Sequence, residues 1–149
     1  MRIPVAGDRA ISAPRTSVLL VDDDPAAATM YGLGLAAAGF VVTEAASARA
    51  ALGSIEHEVP DVIVLDWQMP RMRGDELLEV LRRNEETRHV AVVFLSNFPK
   101  HDPRVAGVVG AGSPIRWLVK SETTPKKLAE VVAKTIDMSL GSPTSPAAA

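Results

Sequence analysis

Short apolar runs alternate along this chain with longer segments in which apolar residues recur at helical spacing, and polar or Gly/Pro breaks separate the two. The runs at 18–21, 40–43, 62–65, 90–95 and 117–119 predict five strands. Those at 18–21, 62–65 and 90–95 are apolar at every position, with no polar alternates. Such strands need cover on both faces, which the helices of a parallel α/β sheet provide. The segments 26–38, 48–58, 76–84 and 125–138 carry the helical spacing, and a weaker one at 104–109 lies in a stretch rich in glycine and proline. The predicted fold is therefore α/β, a doubly wound five-stranded parallel sheet.

Helix boundaries follow from side-chain chemistry. Asp24 is placed to accept from the free N–H groups of the first helix, Pro25 suits its first turn, and Gly39 suits the left-handed position after its end. Thr124 and Pro125 open the last helix in the same manner. Gly32 and Gly34 each weaken the first helix by up to about 1 kcal/mol relative to alanine, which predicts close packing on the sheet as compensation. Residues 1–15 and 141–149 follow neither period and are expected to be tails around one domain at 16–140.

Composition narrows the class. A length of 149 residues with 47% hydrophobic and 23% charged residues fits one soluble globular core. With no cysteine, a disulfide scaffold, a thiolate metal site and a thiol nucleophile are excluded. Sixteen basic against 18 acidic side chains give a net charge of −2, so no DNA binding is expected. No apolar run approaches the length of a membrane span and the first residues do not form a secretory signal, so the expected location is cytoplasmic.

Ligand sites of open parallel sheets lie beyond the carboxyl ends of the strands. Here strand one ends in Asp22, Asp23 and Asp24, strand three in Asp66, strand four in Ser96 and strand five in Lys120. Carboxylates gathered at one edge repel unless a cation joins them. A donor set of oxygens without Cys or His favours a hard ion, and Mg²⁺ is the usual one where a phosphate completes the shell. Asp23 and Asp66 are the candidate ligands, with Asp22 acting through water or as an outer acceptor. A carboxylate in that setting is a candidate nucleophile toward phosphorus, with Lys120 neutralising charge and Ser96 donating to a phosphoryl oxygen. Lys120 is expected to be an exposed lysine of little weight in folding, and Trp67 to lie beside the metal. The arginines Arg71, Arg73, Arg82, Arg83 and Arg88 are expected to form a solvated face.

These residues resemble the receiver domain of bacterial response regulators. The likeness covers about residues 16–140 and rests on VDDDP at 21–25, LDWQMPRMRG at 65–74, FLS at 94–96 and WLVK at 117–120. It implies a flavodoxin-like sheet of order 2-1-3-4-5, with Asp66 as phosphoryl acceptor and Asp22 and Asp23 as the acidic pair. It further implies the backbone carbonyl of Gln68 as a Mg²⁺ ligand, Ser96 as the switch hydroxyl, Trp117 as the aromatic switch and Lys120 as the phosphate-pairing lysine. Met69, Pro70 and Gly74 fit the loop after the acceptor, with Gly74 permitting a turn before the helix. Three positions depart from the family pattern: Ser121 stands where proline usually follows the lysine, Trp117 replaces Tyr or Phe, and Asn97 replaces a small residue.

The resemblance implies a stand-alone receiver that takes a phosphoryl group from the phosphohistidine of a histidine kinase or histidine phosphotransfer protein, catalysing only its own phosphorylation and dephosphorylation. With no effector domain after residue 140, output is expected through a downstream protein partner, onward relay or a homodimer. The alternative is a degenerate receiver serving as an unphosphorylated binding or dimerisation module, for which Ser121, Asn97 and Trp117 are the motive. A phosphohydrolase with an aspartate nucleophile fits less well, because Gln68 stands where its acid would lie.

Overall fold

The computed structural model describes residues 15–97 and 115–148. Strands β1 (Ser17–Val21), β2 (Val41–Ala45), β3 (Val62–Leu65), β4 (Ala91–Ser96) and β5 (Ile115–Val119) form one parallel sheet in the order β2-β1-β3-β4-β5. Helices α1 (Pro25–Ala37), α2 (Ala48–His57), α3 (Gly74–Arg83) and α4 (Pro125–Ala148) accompany them, with a 3₁₀ turn at Lys120–Glu122 between β5 and α4. The expected fold class and strand order are those observed.

Alternation along the strands divides the core in two, because successive side chains of a strand point to opposite faces. Leu19, Val21, Ile63, Leu65, Val92 and Phe94 pack with Ala51 and Ile55 of α2 and with Leu77, Leu78 and Leu81 of α3. Val18, Leu20, Val62, Val64, Val93 and Leu95 pack with Tyr31 and Leu35 of α1 and with Leu128, Val132 and Ile136 of α4. Burying each large aliphatic side chain contributes about 1.5–3 kcal/mol, so strands β1, β3 and β4 hold the molecule together. Edge strands obey a looser rule. β2 exposes Glu44 and β5 exposes Arg116, which is why both run beyond the apolar stretches that predicted them.

The helix caps form as expected. Asp24 Oδ1 accepts from Ala26 N at 3.0 Å, Gly39 has φ 102°, and Thr124 Oγ1 accepts from Lys127 N at 3.0 Å. The two helix glycines differ in their surroundings. Gly32 faces the sheet as expected, where a Cβ would lie 2.7 Å from Glu44 Oε2, the end of a flexible side chain on β2, whereas a Cβ on Gly34 would lie 2.4 Å from Pro125 Cβ, so that α4 rather than the sheet requires this small residue. α4 continues to Ala148, through the stretch expected to be a tail. The predicted helix at 104–109 and the N-terminal stretch before Arg15 lie outside the described residues.

Candidate functional site

Register brings the acidic residues together. Val21 pairs with Leu65, so Asp22 and Asp66, the next residue of each strand, emerge side by side at the carboxyl edge. Asp22 N donates to Ala45 O at 3.1 Å and Asp66 N donates to Val21 O at 3.0 Å, extending the ladder one residue past each strand. Oxygen atoms of Asp22, Asp23 and Asp66 all lie within 4.8 Å of one another. Asp24 turns away to cap α1, which removes the fourth carboxylate from the cluster.

Lys120 enters from the far side. Its Nζ lies 2.7 Å from Asp22 Oδ2 and 3.4 Å from Asp66 Oδ2. Its side chain is only 15% exposed, against the expectation of an exposed lysine, because the turn after β5 folds it over the site. One ammonium among three carboxylates leaves excess negative charge, the setting in which a hard divalent cation is bound by oxygen. The donor set therefore fits a divalent metal.

Electrostatics follow from this crowding. Burial pushes the Asp66 pKa above its ordinary value, Lys120 and the Gln68 N–H at 3.1 Å from Oδ1 pull it down, and Asp22 pushes it up again. The net direction is upward. Burial works to lower the Lys120 pKa, but its bonds and charge attraction to Asp22 and Asp66 outweigh burial and raise it.

The other expected residues lie at the end of β4, in β5 and in the loop after β3. Ser96, fully buried, ends β4 in register with Val119. Gln68 follows the site with its backbone N–H turned to Asp66 Oδ1 and its side chain exposed. Trp117 is buried, its ring 5.1 Å from those of both Phe94 and Trp67. Trp67 packs into the same apolar core, its ring 5.6 Å from that of Phe94. Gly74 is needed for close approach: a Cβ there would lie 2.5 Å from Asp66 O and 2.9 Å from Trp67 Cα. The positive φ of this loop, 73°, falls on Arg71 instead. Ser121 lies in the 3₁₀ turn, and no peptide bond among the described residues is cis. Arg82 departs from the solvated face, burying part of its length and donating to Val90 O at 3.0 Å, while Arg73, Arg83 and Arg88 form exposed pairs.

Two residues of this region escape sequence reasoning. Tyr31 of α1 donates through its hydroxyl to Thr123 O at 2.7 Å and lies 3.1 Å from Lys120 O. Thr123 in turn donates through Oγ1 to Val119 O at 2.8 Å. Tyr31 reads in the sequence as an ordinary apolar-face position of a helix, and its partners lie about ninety residues away.

Residues 18–132 match the response regulator receiver domain family. The chain belongs to that family. This receiver is 37% identical over 127 residues to the transcriptional regulatory protein PrrA of Mycobacterium tuberculosis, covering 85% of this chain and 50% of that protein. It is 32% identical over 119 residues to the phosphate regulon transcriptional regulatory protein PhoB of Pseudomonas aeruginosa, covering 79% and 49%. The receiver thus spans about half the length of these relatives. Among solved structures, the Vibrio cholerae chemotaxis protein CheY4 superposes with a TM-score of 0.74 at 28% identity, covering 82% of this chain and 99% of that one. A response regulator from Chloroflexus aurantiacus gives 0.71 at 30% identity, covering 83% and 98%. Among the described residues, no helix is long and apolar enough to cross a membrane.

Proposed function

We propose that this receiver accepts a phosphoryl group from a phosphohistidine onto Asp66, in the presence of Mg²⁺, and signals by binding a protein partner. The observation that carries the reading is Lys120 bridging Asp22 and Asp66 at the edge where Asp23 also lies. In the transfer, the phosphorus–nitrogen bond of the donor breaks as an Asp66 carboxylate oxygen bonds to phosphorus, and the electron pair returns to the imidazole. Asp23, Asp66, the Gln68 backbone carbonyl and Asp22, directly or through water, would hold the metal. Bound Mg²⁺ supplies positive charge against the phosphoryl oxygens. Lys120 sits 3.4 Å from Asp66 Oδ2, within reach of an oxygen on a phosphoryl group attached there, and Ser96 donates to another. Trp117 is the aromatic switch in this reading, reporting the state of Asp66 at β5, and the receiver unit spans 16–140.

The donor is a histidine kinase or histidine phosphotransfer protein, and the downstream partner is a protein that distinguishes the two states of the β5 side. The assembled carboxylates and lysine speak against a degenerate module, which needs none of them. Incubating the chain with a phosphohistidine-bearing kinase domain and Mg²⁺ tests the reading. Label moving from the kinase to the receiver, and failing to move to Asp66→Asn, supports it; label remaining on every kinase tried contradicts it.

A further inference from the structure

Lysine is a weakly directed side chain. Four torsions separate its ammonium from the backbone, so the position of Lys120 Nζ depends on how firmly the turn beneath it is held. That turn is short, and its residues Ser121 and Glu122 are exposed. Within it, Thr123 N donates to Lys120 O at 3.3 Å, a long bond. Two side-chain hydroxyls reinforce it: Thr123 Oγ1 on Val119 O from within the segment, and Tyr31 from α1.

Tyr31 is 2% exposed and belongs to the core between the sheet, α1 and α4. Phenylalanine would fill the same apolar space without a hydroxyl to desolvate. The hydroxyl has one proton and faces two carbonyls, Thr123 O at 2.7 Å and Lys120 O at 3.1 Å, so it spans the turn from its first residue to the residue after its last. α1 is itself fixed at both ends of this path. It starts directly after Asp22–Asp24, and its Gly34 lies against Pro125, just beyond the turn. Tyr31 therefore ties the strand end that bears Asp22 to the turn that bears Lys120, across the 2.7 Å pair those two residues make.

We propose that Tyr31 is a positioning residue of the phosphoryl-transfer site, its hydroxyl holding the Lys120–Thr123 turn so that the ammonium is aimed at the acceptor carboxylate. This rests on the receiver reading above. Displacement of an aligned group by an ångström costs up to about a hundredfold in rate, and a tether loosened by one hydroxyl falls within that bound.

The test is Tyr31→Phe, which keeps the ring and removes the hydroxyl. Three quantities are measured in the full chain: amide hydrogen exchange at Thr123, the phosphorylation rate from acetyl phosphate at saturating Mg²⁺, and the same rate in a Lys120→Ala background. The expected result is faster exchange at Thr123, a rate lowered by about tenfold or more, and a change of less than about twofold when Lys120 is already absent. Equal rates in Tyr31→Phe and wild type overturn the proposal. So does slower phosphorylation without a change in exchange, or an equal fractional loss in both backgrounds, since Tyr31 then acts on something other than Lys120. A wild-type chain that takes no phosphoryl group from any donor overturns the receiver reading itself, a distinct outcome from a phosphorylated wild type matched by Tyr31→Phe.

Discussion

Asp66 is held in a position that does not suit a charged carboxylate on its own. Burial raises its pKa, so the folded chain keeps this proton to higher pH than the unfolded chain does. Stability is therefore lost as pH rises from the ordinary aspartate value through the folded one. Metal-free Asp66→Asn should accordingly melt above metal-free wild type at pH 7, with the gap closing as pH falls below the ordinary aspartate range. Thermal melts across that span check it; an unchanged or lower melting temperature at pH 7 contradicts the account. Lys120 has the opposite character. Its bonds to two buried carboxylates mean that Lys120→Ala should destabilise the metal-free chain by about 1.5–3 kcal/mol, the usual range for a hydrogen bond to a charged group. Denaturant unfolding measures this. The identity of Lys120 as a site residue is legible from its place after the last apolar run, but its burial is not, because that depends on a turn whose geometry the sequence leaves open.

At the scale of elements, the local signals that name their own partners are the ones that read correctly. Asp24 caps the helix that begins one residue later, and Gly39 ends it two residues past its last turn. The glycines of α1 are different, because their reason lies on other elements. Gly34→Ala gains helix propensity yet drives a methyl group against Pro125, whereas Gly53→Ala in α2 meets open space. Gly53→Ala should stabilise by about 0.5–1 kcal/mol, and Gly34→Ala should destabilise despite the same propensity gain. Equal effects of the two substitutions in denaturant unfolding would remove the α1–α4 contact from the account. β2 shows the limit of periodicity from the other side. A strand at a sheet edge accepts Glu44 and Thr43 facing solvent, so its end cannot be placed from apolar positions. Tyr31 marks the same limit at the site: its ring is legible as core, while its hydroxyl acquires a purpose only when the turn after β5 meets α1.

Across the whole molecule, one sheet edge gathers residues that are far apart in the chain, and strand order together with register accounts for it. The apolar runs fix which residue ends each strand, and the parallel pairing of β1 with β3 sets Asp22 beside Asp66. A cation bound there stabilises the fold by mass action. At a Mg²⁺ concentration one hundred times its Kd the gain is about 2.7 kcal/mol, and it should be largely lost in Asp23→Asn, which calorimetry with and without the ion can decide. The central claim is that Asp66 carries the phosphoryl group. Intact-mass measurement after incubation with acetyl phosphate and Mg²⁺ tests it most directly. The account predicts a single phosphoryl increment on the wild-type chain that is absent from Asp66→Asn and suppressed by removing Mg²⁺; an increment that persists in Asp66→Asn, or none on the wild type, would contradict it.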